Sequence, residues 1–147
     1  GSFLGLLVSL YKEKKSDKIF SLKQLQKLLS KDCLERISKN EKFVESQGIM
    51  VFKEFLKNQN AKKIAFITLD QNNKSYLKNL RDYLIDEINL NTEVSIVSNQ
   101  YSLEECSKAD LTILFTSIVN SSYEEIQSLK RRFDLLGVNF TGFILID

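Results

Sequence analysis

The residues best suited to chemistry are Lys74 and Ser75. The apolar run Lys63-Ile-Ala-Phe-Ile-Thr-Leu69 ends in a polar turn, Asp70-Gln-Asn-Asn73, and Lys74-Ser75 then opens a segment of helical period. A phosphate-binding loop, Gly-x-x-x-x-Gly-Lys-Ser/Thr, places the same pair at the same juncture, with Lys on the phosphates and the hydroxyl on Mg²⁺. Its glycines let backbone N–H groups curl around an anion with no Cβ in the way. Here no glycine occurs between Gly48 and Gly137. Asn73 tolerates a left-handed conformation but still carries a side chain. Lys74 and Ser75 therefore read either as a vestigial phosphate loop or as a solvated helix start. Ile144-Leu-Ile-Asp147 has the form of a magnesium-binding strand end, or simply of a strand followed by a turn residue. Arg131-Arg132 and Glu104-Glu105 read as solvated pairs. The chain has no histidine, which removes His-based acid–base chemistry, Ser-His and Cys-His nucleophiles, and most zinc sites. Cys33 and Cys106 fit no zinc or redox spacing and read as free thiols in a reducing compartment. No metal site, no cofactor and no catalytic residue is assigned, and the chain is not expected to be an enzyme.

A scaffold must position that turn. With 147 residues, 43% hydrophobic and 27% charged, the chain has the size of one domain. At this length folding buries about two-thirds of the unfolded surface, so no disulfide or metal staple is needed. A net charge of +2 spread along the sequence gives no basic footprint for nucleic acid.

Along the chain, helical and strand patterns alternate. Ser21-Leu-Lys-Gln24 is a capping box ahead of a stripe at Leu22, Leu25, Leu28 and Leu29. Residues 41–57 read as a second helix, with Val44, Val51, Phe52, Phe55 and Leu56 apolar and Gly48 a weak point. Strands are predicted at 63–69, 94–98, 110–116 and 140–146. A helix through about residue 88 presents Leu77, Leu80, Leu84 and Ile88. A second capping box, Ser122-Tyr-Glu-Glu125, opens a helix closed by Gly137. Apolar strands separated by amphipathic helices predict an α/β fold: a mostly parallel sheet of four or five strands flanked by helices, in a P-loop- or Rossmann-like three-layer arrangement. Residues 58–147 are expected to form this domain and residues 3–57 a helical, membrane-proximal lead-in. Gly1-Ser2 reads as an expression scar. Phe3 to Tyr11 is an uncharged apolar run followed by Lys12, Lys14, Lys15 and Lys18. As a helix it covers ~14 Å, half a bilayer core. It is read as the cytoplasmic end of a truncated membrane span, with its lysines inside, or as an amphipathic first helix. On the first reading it is expected to be helical and to pack against another copy in solution, or to be poorly ordered; on the second it packs on the domain.

The stretch Ala109-Asp-Leu-Thr-Ile-Leu-Phe-Thr116, with Ser122-Tyr-Glu-Glu125 and Leu136-Gly-Val-Asn-Phe-Thr-Gly-Phe-Ile-Leu-Ile146, resembles the closing β-α-β unit of Wzc-like bacterial tyrosine kinases of exopolysaccharide export. The lead-in, Gly5-Leu-Leu-Val8, then the lysines, then Asp17 to Leu28, resembles the juncture where Wzz-type chain-length determinants enter their cytoplasmic domain. The resemblance covers most of the chain in order. It implies an oligomeric protein at the cytoplasmic face of the bacterial inner membrane that works with polysaccharide export and polymerase proteins and helps set polymer length. The departures are as informative. Only Lys74 and Ser75 remain of the phosphate loop, and the family's two magnesium-binding aspartates have no convincing equivalent. The Pro and Gly of a family segment are missing around Cys33-Leu-Glu-Arg-Ile37. The expectation is a non-catalytic, degenerate P-loop-like domain supporting oligomerisation or partner contacts. The alternatives are a nucleotide-binding, kinase-like ATPase with an atypical loop, or an unrelated flavodoxin-like binding module.

Overall fold

The computed structural model describes residues 21–88, 92–98, 103–118 and 122–147. The expected packing of Phe3 to Tyr11 lies outside these residues. Among them no helix is long and apolar enough to cross a membrane.

Helix α1 (Leu22–Leu29) starts from the predicted capping box: the Gln24 N–H donates to Ser21 Oγ at 3.3 Å, and Gln24 Oε1 accepts from the Ser21 N–H at 2.9 Å. Strand β1 (Cys33–Ile37) and a 3₁₀ turn (Phe43–Glu45) precede α2 (Gln47–Gln59). Then come β2 (Lys63–Thr68), a second 3₁₀ turn (Gln71–Asn73), α3 (Lys74–Ile88) and β3 (Glu93–Val97). The short helix α4 (Glu104–Ser107), β4 (Leu111–Thr116), α5 (Tyr123–Leu136) and β5 (Phe140–Ile146) complete the order.

The five strands make one sheet, ordered β1-β5-β4-β2-β3, and every pairing is parallel. The fold is therefore the predicted α/β three-layer class. Helices cover both faces because successive residues of each strand point to opposite sides. On β2, Ala65 and Ile67 join one core with Leu25 and Leu29 of α1 and Ile126, Leu129 and Phe133 of α5. Ile64 and Phe66 join the other, with Ile49, Phe52 and Leu56 of α2 and Leu77, Leu80 and Leu84 of α3. Both thiols are free, and burial pushes that of Cys106 up to about 12.

Three local expectations are corrected. Cys33–Ile37 lies inside the lead-in expected to be helical, yet it is an edge strand, with Glu35 opposite Ile144 and Ile37 opposite Ile146 on β5. The helix expected from residue 41 begins at Gln47, because Ser46 is its cap: Ser46 Oγ accepts from the Ile49 N–H at 3.2 Å. Val44, in the 3₁₀ turn before it, and Val51, on its outer face, are exposed. Ser122 stands at the start of α5 with extended backbone but makes no side-chain cap, so the second capping box is not formed. Gly137 does close α5 in the left-handed conformation, with φ 67°.

Candidate functional site

Strand β2 sits where the chain order reverses. Its own continuation leads through α3 to β3 on one side, while β4 continues through α5 to β5 on the other. The helices α3 and α5 pack on opposite faces of the sheet, which leaves a crevice beyond the carboxyl ends of β2 and β4. Open α/β sheets bind ligands at such a switch point.

A cavity of about 270 Å³ occupies this crevice. Leu69, Phe115 and Ile126 give it an apolar lining, while Asp70, Asn73, Thr116, Ser117, Ser122 and Glu125 supply oxygens and one amide. Among the described residues no lysine or arginine is in its wall. Thr116 is buried, and Glu125 is exposed at the rim. Asn73 is 3% exposed, and its Oδ1 has no hydrogen-bond partner.

The turn after β2 is closed upon itself. The Asp70 N–H donates to Thr68 Oγ1 at 3.1 Å, and Thr68 Oγ1 donates to Asp70 O at 3.1 Å. The Asn72 N–H donates to Asp70 Oδ1 at 2.9 Å, and the Asn73 N–H donates to Asp70 O at 3.0 Å. The Lys74 N–H donates to Gln71 O, and Gln71 Nε2 donates to Ser98 O at the end of β3. Four of the N–H groups that could have faced an anion are thus engaged by the turn's own atoms. Asp70 and Lys74 at its two ends both lie at negative φ, and the positive-φ residues among the described ones are Ser30, Asn60 and Gly137. An anion-binding nest needs a left-handed residue to turn successive N–H groups inward. This turn has none.

Lys74 is the first residue of α3 and half-buried; Ser75 follows it, exposed. Neither lines the cavity, which instead takes Asn73. Asp147 follows β5, where its N–H donates to Ile37 O at 3.0 Å and its carbonyl accepts from the Lys39 N–H at 3.3 Å; it too is outside the cavity wall. Among the described residues no three His, Cys, Asp or Glu side chains converge as metal ligands. Asn73 and Glu125 were not separable by sequence from other polar residues near helix starts. The usable signal was position: Asn73 lies in the turn after β2 and Glu125 in the first turn of the helix after β4, at the edge where such folds bind.

Fold and crevice define an all-parallel, three-layer α/β domain with a cavity at its switch point. Neither family models, nor curated proteins, nor solved structures give a match to this chain.

Proposed function

We propose that this chain is a non-catalytic domain at the cytoplasmic face of the bacterial inner membrane, belonging to a polysaccharide chain-length determinant and supporting its assembly with further copies and with export or polymerase proteins. The observation that carries the non-catalytic part is the self-satisfied turn of residues 68–74. Phosphoryl transfer requires a loop that holds phosphates and carboxylates that hold Mg²⁺. Here four turn N–H groups already have acceptors, a carboxylate stands at the turn's start, and the adjoining cavity has no basic wall residue among the described ones. A triphosphate placed there meets the carboxylates of Asp70 and Glu125 and no basic side chain among the described wall residues. The resemblance to export kinases and chain-length determinants supports the assembly role: the stretch that carries it folds as the contiguous unit β4-α5-β5.

Titration calorimetry with Mg-ATP tests the reading, with no saturable heat expected. Tight binding that disappears in Lys74→Ala overturns it in favour of a nucleotide-binding domain with an atypical loop. The assembly role is read in cells carrying the whole protein: deleting residues 21–147 should shift the length distribution of the exported polymer, and an unchanged distribution counts against it.

A further inference from the structure

We propose that the cavity at the carboxyl ends of β2 and β4 is a binding site for a small organic cation bearing a primary ammonium. This goes beyond the assembly role and does not rest on it.

Three observations select that chemistry. First, Asn73 lines the cavity, is 3% exposed, and leaves its Oδ1 without a partner. A buried carbonyl without a donor is costly, and a ligand N–H placed in the cavity removes that cost. Second, the charged wall residues among the described ones are Asp70 and Glu125, with no lysine or arginine beside them in that wall. An anionic ligand is repelled there and a cation is attracted. Third, Leu69, Phe115 and Ile126 supply apolar surface beside the acceptors, which suits a hydrocarbon stem more than a hydrated metal ion. The volume of about 270 Å³ is near the lower end of small-molecule sites, ~300–1,000 Å³, so the occupant is a short-chain amine or the end of a lysine side chain.

The test is a titration of the isotopically labelled chain followed by amide NMR, with n-butylammonium as the probe and butyrate and MgCl₂ as matched controls. Saturable shifts with butylammonium, confined to residues 69–73, 115–118 and 122–126, and including the Asn73 side-chain amide, are expected. Asn73→Leu keeps the side chain's branched shape and removes the carbonyl, and should weaken binding about tenfold, as loss of one hydrogen bond to a charged group does. Glu125→Gln, at an exposed position, should weaken it about threefold, the scale of a surface charge pair; it keeps the test decisive if the first variant fails to fold. Nα-acetyl-lysine methylamide binding tenfold tighter than butylammonium assigns the ammonium to a partner's side chain, and equal or weaker binding assigns it to a free amine. Absence of saturable shifts, equal shifts with butyrate, or saturation by Mg²⁺ alone overturns the proposal. Mg-ATP is not a probe here, so failure of this site and failure of the non-catalytic reading are separable.

Discussion

Asp110 and Tyr76 show how single groups act here, one through its satisfied bonds and the other through a missing one. Asp110 precedes β4, and its Oδ2 accepts from the Lys62 and Lys63 N–H groups at 2.9 and 3.1 Å, while its N–H donates to Lys63 O at 2.8 Å. Its carbonyl accepts from Asn139 Nδ2 at 2.7 Å. One residue thereby ties the starts of β2, β4 and β5 together. Those two backbone donors hold its carboxyl below the ordinary 3.8. The folded state thus favours the ionised form, so the contribution is present above pH 4 and is lost as pH falls through the lowered value. Asp110→Ala should destabilise the chain at pH 7, and the gap from the parent should narrow in urea melts at pH 3. A gap that is the same at both pH values would place its worth in packing instead. Tyr76 is the converse: its hydroxyl is buried without a partner, and burial with Glu41 nearby pushes it up to about 12. Tyr76→Phe should be neutral or stabilising by about 1 kcal/mol, with urea melts as the measure. At this scale the sequence showed Lys74 and Ser75 opening a helix after a strand. It could not show that Asn73, one residue earlier, turns into the crevice, because that depends on where β4 and α5 lie.

Among the elements, β2, β4 and β5 were legible because each is an apolar run buried on both faces, and β3 as a short β-branched run. Strand β1 was hidden because Cys33-Leu-Glu-Arg-Ile37 carries two charges within five residues. As an edge strand it needs few buried positions, and Ile37 alone is fully covered. Its presence also explains Gly48, which reads as a weak point of α2. A Cβ at Gly48 would lie 2.3 Å from the Arg36 carbonyl oxygen and 3.1 Å from Ile37 Cγ2. The glycine permits α2 to approach β1 closely. Gly48→Ala gains about 1 kcal/mol of helix propensity, but overpacking against backbone costs about 1–3 kcal/mol or more, and the clash wins. A net loss of stability is expected in thermal melts. A stabilised variant would mean that α2 can move off the strand without penalty.

For the whole molecule, the decisive question is whether residues 58–147 form a domain without what precedes them. The sequence suggested that boundary because the polar break Asn58-Gln59-Asn60 separates a helical pattern from the first strong strand. In the structure the sheet crosses it. Strand β1 pairs with β5, and Phe52 of α2 packs with Phe66 and Phe115 at ring distances of 5.9 and 6.0 Å. Ile49, Phe52 and Leu56 are each no more than 3% exposed, in the same core as Ile144 and Ile146. Removing residues 21–57 exposes those partners. At about 1.5–3 kcal/mol for each large apolar side chain, the loss rivals the whole net stability of a domain, about 5–15 kcal/mol. It also opens the edge of β5, an apolar strand with free ladder groups. The fragment 58–147 should therefore show no cooperative unfolding transition and should associate, whereas the full chain should unfold in one step by far-UV circular dichroism and tyrosine fluorescence together. A fragment that melts cooperatively near the midpoint of the full chain would make residues 21–57 a detachable connector and restore the boundary suggested by the sequence.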